Sequence, residues 1–204
     1  AIRLGRRGEV LVSCPPSAID GAAEELRRQG RPVAGIFSGR LGAEGEVISP
    51  SGERCAFYEA TLREAGERDE SSAIVARQRA SGSLLWIRGE RAHAALAFSP
   101  SQVFAAEEVR RPIASGRRPV EQEPTEVVSH ERAGRIGESC FALGRLEWGE
   151  APGSVIIRGI GGGAAAILIG VSHVRVGRGW MVRAWGYYAG AVALTCAAGW
   201  MLGR

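Results

Sequence analysis

The chain has 204 residues, 45% of them hydrophobic and 24% charged, and its formal net charge at pH 7 is +4. This composition supports a folded domain with a real core and excludes an intrinsically disordered chain. The last acidic residue is Glu150, so the positive charge comes from the C-terminal segment and the part before it is close to neutral. A neutral folded part argues against nucleic acid as a partner.

In chain order, the first predicted unit is an N-terminal segment over residues 1–30. Ser17 is a suitable N-cap and Gly30 a suitable stop, which predicts one helix over residues 17–29. We expect the native start to lie upstream of Ala1. Residues 1–10 would suit the cytoplasmic flank of a membrane helix that has been trimmed away.

The second predicted unit is a β-rich domain over residues 31–172. Its short antiparallel strands are expected in runs bounded by Gly, Ser and Pro, namely 31–39, 45–50, 53–64, 83–89, 91–98 and 138–148. Residues 154–172 are expected to form a final hairpin around a Gly-Gly-Gly turn. Two polar stretches interrupt the strands: 63–72, a charged hairpin or strand extension, and 110–134, a surface excursion. The expected fold class is therefore α+β, with one N-terminal helix before the β-rich domain.

The third predicted unit is a membrane anchor. Residues 187–203 carry no charge and reach the lower length limit for a transmembrane helix. Residues 173–186 are a basic juxtamembrane segment with a membrane flank of Arg175, Arg178, Arg183, Trp180 and Trp185. The positive-inside rule places the folded domain in the cytoplasm, so we expect a single C-terminal pass with the lipid bilayer as partner. The alternatives are a buried core helix and a helix in the membrane interface.

No residue pattern in the chain points to catalysis. The cysteines are widely spaced and lack the C-x-x-C pairing of a zinc site, so we expect neither a metal nor a disulfide framework: Cys14, Cys55, Cys140 and Cys196. Gly159-x-Gly161-x-x-Ala164 follows a strand run, but the absence of an acid after Glu150 favours a glycine-rich turn over a dinucleotide site. We predict no cofactor and no catalytic residue.

Residues 48–64 carry the most specific motif. They resemble the SPLSG-x-x-C-x-x-Y signature of the membrane-proximal domain in the mitochondrial RING ubiquitin ligase family known as GIDE, a domain also called "beside a membrane" (BAM). The family's Leu before Ser-Gly is absent here. The matching positions are Ser49, Pro50, Ser51, Gly52, Cys55 and Tyr58. Further elements that resemble the family follow the same order: 33–39, 84–89, Glu131 and 137–144.

The resemblance implies a membrane-anchored binding or sensing module of bacterial type. Ubiquitin transfer in that family belongs to a C-terminal RING, and this sequence contains no RING zinc ligands, so the balance is against an enzyme. The six matching residues are the predicted surface for a protein or small-molecule ligand. The alternative is that they shape a turn and fill the core.

Two other functions remain open from the sequence. One is a non-catalytic scaffold in a ubiquitin-ligase-like assembly. The other is a membrane-perturbing effector of a bacterial defence system. In the effector, the helix would form a homo-oligomer through its small residues Ala189, Gly190, Ala193 and Ala197.

Overall fold

The computed structural model describes residues 2–64, 74–105, 107–110 and 127–202. Its helices are α1 (Ile2–Ser13), α2 (Ile19–Gln29) and α3 (His173–Leu202). Its strands are β1 (Ser17–Ala18), β2 (Val33–Glu44), β3 (Val47–Ile48), β4 (Arg54–Glu64), β5 (Ile74–Ser81), β6 (Leu84–Arg88), β7 (His93–Leu96), β8 (Val103–Ala105), β9 (Glu108–Arg110), β10 (Val127–Arg135), β11 (Ser139–Trp148), β12 (Val155–Arg158) and β13 (Ala166–Ile169). The expected β-rich domain followed by a C-terminal helix is confirmed.

Five strands of the larger sheet close on themselves into a ring. β2 pairs with β6, β6 with β7, β7 with β12, β12 with β11, and β11 returns to β2. The adjacent residues Ile36 and Phe37 are both buried, because successive side chains of a strand point to opposite faces and both faces of the ring are covered here. Phe37 belongs to the main core with Leu41, Ile87 and Ile157.

Close strand contacts in the ring depend on two glycines. A Cβ added at Gly39 would lie 2.7 Å from the carbonyl oxygen of Arg88. A Cβ added at Gly144 would clash with the carbonyl oxygen of Arg158. A larger residue at either position would therefore push neighbouring strands apart.

Helix α1 and the first half of α3 cover the outer face of the ring. A second apolar cluster joins Leu11 of α1 and Trp180 of α3 to Ile36 of β2. The Trp180 ring lies edge-on to Phe104, with centroids 5.1 Å apart. The two helices approach closely, because a Cβ at Gly177 would lie only 2.7 Å from the Leu11 Cβ.

Helix α2 is tied to the ring by its first-turn carboxylate. Asp20 accepts hydrogen bonds from the backbone N–H groups of Glu90 at 2.9 Å, Arg91 at 3.0 Å and Ala92 at 2.7 Å, in the turn between β6 and β7. The helix ends where Gly30 adopts a left-handed conformation with φ of 66° and donates its N–H to the Leu26 carbonyl. The predicted stop at Gly30 is therefore confirmed.

The smaller sheet has the order β3-β4-β10-β9. β5 pairs with the edge of β4 that faces away from β10, further along the strand than β3. Ala56 and Phe57 of β4 join the main core, so this sheet is packed against the ring at one end of β4. A Cβ at Gly134 of β10 would lie 2.5 Å from both the Phe57 ring and the Leu41 side chain. The missing side chain at Gly134 thus leaves room for Phe57 and Leu41 where the two sheets meet.

The predicted transmembrane helix is wrong. Within the described residues, no helix has both the length and the apolar character that crossing a bilayer requires. Helix α3 is long enough at 30 residues, but alanine, glycine, tyrosine and tryptophan dilute the few strongly apolar residues of 187–203. The predicted single C-terminal pass is therefore not supported.

The predicted juxtamembrane segment and the anchor are one continuous helix, and its beginning belongs to the folded domain. Trp180, which the sequence placed in a membrane flank, is only 5% exposed and fills the core between α1 and the ring. The other residues of that flank are exposed: Arg175, Arg178, Arg183 and Trp185. Beyond Ala184, every residue from 185 to 195 is exposed, so this part of α3 makes no core.

Three smaller expectations also need correction. Two helices, not one, precede the sheet, since residues 2–13 form α1. Helix α2 begins at Ile19 without a side-chain cap, because Ser17 pairs with Phe37 as part of β1. Residues 154–172 do not form a hairpin: β12 and β13 do not pair with each other but lie end to end along the same edge of β11, and β2 takes its other edge.

The predicted polar stretches differ in what the structure shows. Most of 63–72 lies outside the described residues, although its first two residues end β4. The stretch 110–134 ends in β10, which occupies a central position in the smaller sheet. Residues 111–126 lie outside the described part of the chain.

Candidate functional site

The motif that resembles the ubiquitin ligase family forms the turn between β3 and β4. The Ser49 N–H donates to the Glu53 carbonyl at 2.9 Å, and the Gly52 N–H donates to the Ser49 carbonyl at 2.8 Å. Gly52 has a φ of 83°, a left-handed conformation that favours glycine. Pro50 is half-buried in the same turn. These residues shape the chain reversal that starts β4.

A buried carboxylate from β10 holds this turn in place. Glu131 is 2% exposed. Its Oε1 accepts the Ser51 N–H at 3.0 Å, and its Oε2 accepts the Ser51 hydroxyl at 2.8 Å. The Ser49 hydroxyl lies 2.9 Å from that of Ser51. Two parts of the family resemblance, Ser51 and Glu131, are therefore in direct contact although 80 positions separate them.

Cys55 is unsuited to thiol chemistry. The residue is fully buried, and its Sγ lies 3.6 Å from the Glu53 carbonyl oxygen. Burial, helped by the charge of Glu53, raises the pKa of the Cys55 thiol to about 11. Burial likewise raises the pKa of Cys140 to about 12. Both thiols stay protonated near neutral pH, and the thiolate is the reactive form.

A cleft with an apolar lining lies between the smaller sheet and the segment that links β7 to β8. Its volume is about 200 Å³. Of the six predicted surface residues, Tyr58 lines this cleft and the other five do not. The lining residues are Phe57, Tyr58, Glu59, Arg79, Ala80, Ser81, Phe98, Pro100, Val103 and Arg132.

The floor of the cleft is aromatic. Phe57 is 3% exposed, and its ring centroid lies 5.4 Å from that of Phe98, with the rings tilted by 36°. Val103 and Pro100 continue the apolar wall on the linker side. An apolar group that enters the cleft would contact ring faces and aliphatic carbons rather than water.

The rim of the cleft is charged. Glu59 of β4 pairs in register with Arg79 of β5 on one side and with Arg132 of β10 on the other. Arg132 Nη2 donates to Glu107 Oε2 at 3.1 Å. Among the described residues, Arg79 forms no ion pair. The cleft thus combines an apolar floor with a guanidinium group that has unused donors.

A second group of charged residues lies beside the Ser49–Glu53 turn and is closed on itself. Arg135 Nε donates to Glu53 Oε2 at 2.8 Å, and Arg110 Nη1 donates to Glu53 Oε1 at 2.6 Å. Both arginines also bind Glu108, and the hydrogen bond from Arg110 is the main cause of its lowered pKa. The adjoining cavity holds only about 40 Å³. This network fixes β9 and β10 against the turn and leaves little space for a ligand.

Within the described part of the chain, no group of three or more His, Cys, Asp or Glu residues is arranged to hold a metal ion. Sequence reasoning missed the cleft, because Phe98, Arg79 and Arg132 lie on separate segments without a shared motif. Phe98 before Ser99-Pro100 reads only as a strand end. Arg132 lay in the stretch interpreted as a surface excursion.

Comparisons with protein-family models, with curated proteins and with solved structures gave no match. The GIDE and BAM assignment therefore rests on the motif resemblance alone.

Proposed function

We propose that this protein is a binding module that holds a small ligand with an apolar body in the cleft between β4, β5 and the segment 98–103. The observation that carries the proposal is the combination of an aromatic floor and charged rim groups in one concave site. Ligand sites usually join an apolar lining to a few polar groups that fix orientation. The volume of about 200 Å³ selects a small molecule or a single side chain of a larger partner.

The family resemblance supports the same class of function. It suggests a binding or sensing module, and its Ser51 and Glu131 hold the beginning of β4, which supplies Phe57 and Glu59 to the cleft. The turn residues then act by positioning the strand, and Tyr58 is the one motif residue among those that line the cleft. Binding of a protein partner by this domain is likewise a proposal.

The scaffold and effector hypotheses remain predictions. Ubiquitin transfer that depends on this chain together with a separate RING protein would favour the scaffold. Growth arrest on expression, lost when Ala193 and Ala197 are both changed to Leu, would favour the effector. The exposed part of α3 beyond Ala184 is the surface on which homo-oligomer formation would depend.

The proposal is tested by binding of simple aromatic probes. Benzyl alcohol and benzoate would be titrated into ¹⁵N-labelled protein, and the amide resonances of residues 57–59, 79–81, 98, 99 and 101–103 would be followed. We expect at least one probe to shift these resonances, and we expect the shifts to saturate as its concentration rises. Ser81→Trp adds an indole on the cleft face, at the position opposite Phe57, and should abolish the shifts. Ala34→Trp, at an exposed position on β2, is the matched control and should leave them unchanged.

The opposite result is equally clear. If neither probe shifts the cleft resonances, the proposal is wrong. If Ala34→Trp weakens binding as much as Ser81→Trp does, the probes bind elsewhere and the cleft is not the site.

A further inference from the structure

We propose that the ligand of this cleft is a monoanion, a small aromatic or branched apolar molecule that carries a carboxylate. This inference rests on the proposed binding function and specifies its ligand class. It depends on the charge of the sheet face that forms one wall of the cleft, on the hydrogen-bonding state of Arg79, and on the space available.

The sheet face that forms the wall is basic. Every second residue of β4 lies on the same face, so Phe57, Glu59, Thr61 and Arg63 share one face of the sheet. The register places arginines of β5 and β10 in the same rows, opposite Glu59 and Thr61. The arginines of this face are Arg63, Arg77, Arg79 and Arg132. Among the described residues, the acidic groups beside them are Glu59 on the same face and Glu107, which contacts both Arg132 and His130, so the described part of the face has a positive excess.

Arg79 is the group that would bind the carboxylate. It lines the cleft and is exposed, and the described residues offer it no ion pair. Its register neighbour Glu59 forms no salt bridge with it. A guanidinium group has five N–H donors in a fixed fork, which matches the two oxygens of a carboxylate. Arg132 already donates to Glu107 and therefore adds charge more than free donors.

Glu59 limits the charge that the site accepts. It lies between Arg79 and Arg132 in the register of three strands. A dianionic phosphate would meet this carboxylate at close range, and like charges repel more strongly as the second negative charge is added. A carboxylate brings one negative charge and satisfies the donors of Arg79 at a smaller repulsive cost.

The available space fits an apolar body of about one ring. A cleft of about 200 Å³ lies below the roughly 300–1,000 Å³ of pockets that take drug-sized ligands, so it suits a smaller molecule. Its ring would pack on Phe57 and Phe98, with its carboxylate directed at the rim.

The test compares benzoate with benzyl alcohol, which has nearly the same shape and no charge. Dissociation constants would be measured by the amide shifts of the cleft residues at constant ionic strength. We expect benzoate to bind about tenfold more tightly than benzyl alcohol, the effect of one charge-assisted contact. Arg79→Gln should bring benzoate to the affinity of benzyl alcohol and leave benzyl alcohol unchanged.

The controls test whether the loss of affinity is specific to Arg79 and whether each variant is folded. Arg28→Gln removes an exposed arginine from α2 and should not alter either affinity. Arg132→Gln is a second rim variant and should weaken benzoate by a smaller factor than Arg79→Gln does. The same spectra report whether each variant is folded.

The outcomes separate the two proposals. Equal affinity for benzoate and benzyl alcohol would overturn the monoanion inference while the binding function stands. Absence of binding by either probe would overturn both. Phenyl phosphate binding more tightly than benzoate would overturn the selection for a single charge. An unchanged benzoate affinity in Arg79→Gln would remove Arg79 from the site.

Discussion

Glu131 holds Ser51 with both oxygens of its carboxylate, one on the backbone N–H at 3.0 Å and one on the side-chain hydroxyl at 2.8 Å. The carboxylate is 2% exposed, and Ser51 lies in the turn that precedes β4. A buried carboxylate without such donors would be costly. The contact therefore couples the turn to β10 and sets where β4 begins.

This coupling predicts a large effect of Glu131→Ala. The change leaves the Ser51 N–H and hydroxyl without their acceptor and opens a small cavity, so we expect the free energy of unfolding to fall by about 2–3 kcal/mol. Urea denaturation measures it. Ser51→Ala alone should cost about 1 kcal/mol. In the double variant the two losses should not add, because both remove the same contact; strict additivity would contradict the coupling.

A second prediction concerns pH and Asp20. Chiefly the hydrogen bond from the Glu90 N–H, with those from Arg91 and Ala92, holds the pKa of Asp20 below its ordinary value of 3.8. The native state therefore favours the charged form. The stabilisation is complete above about pH 5 and is lost as the pH falls below 3.8 through the lowered native pKa.

Asp20→Asn isolates this effect. Near neutral pH we expect the variant to be less stable than the wild type by about 1–2 kcal/mol, since the amide oxygen is a weaker acceptor of the same hydrogen bonds. The difference should shrink near pH 3 as the wild-type carboxylate protonates. Guanidinium denaturation at several pH values measures it. A stability gap that is the same at every pH would show that the charge of Asp20 is irrelevant.

A third prediction concerns thiol reactivity. With Cys14 and Cys196 changed to Ser, only Cys55 and Cys140 remain, both buried with their pKa values raised to about 11 and about 12. At about pH 8 a disulfide reagent should label neither thiol in the native protein, because the thiolate is the reacting form. Both should react in concentrated guanidinium chloride. Rapid labelling of the native variant would show that Cys55 or Cys140 is accessible.

A fourth prediction compares two tryptophans of α3. Trp180 is 5% exposed and packs against Phe104, whereas Trp185 is 73% exposed. Trp180→Ala should lower the free energy of unfolding by about 3–5 kcal/mol. Trp185→Ala should change it by no more than about 0.5 kcal/mol. Equal losses in thermal or chemical denaturation would mean that α3 is packed differently.

The sequence predicted local structure well where turns and alternation coincide. Strand β4 was expected over 53–64 and runs from Arg54 to Glu64, because Gly52 ends the turn before it and two sets of residues alternate along it. Strand β10 was missed since it carries His130, Glu131 and Arg132 in a row. Glu131 is buried only because Ser51 supplies donors from another part of the chain, which no local pattern reveals.

The sequence predicted an anchor that is wrong and did not predict the cleft, and the physical reasons differ. An uncharged run with Arg before it has the same composition whether it lies in lipid or projects from a domain, so local hydropathy misjudged α3. The burial of Trp180 depends on α1, whose packing the sequence did not predict. The cleft depends on the register of β4 with β5 and β10, which brings Arg79 and Arg132 to either side of Glu59.

Residues 185–195 contribute exposed surface and no core to the domain. Polar residues such as Lys, Glu or Gln form helices as readily as the residues present there. Folding stability would consequently tolerate charge at any of these positions, yet the segment contains none. Substitutions in this stretch should therefore change the free energy of unfolding very little. The lack of charge in this stretch is therefore not a requirement of folding stability.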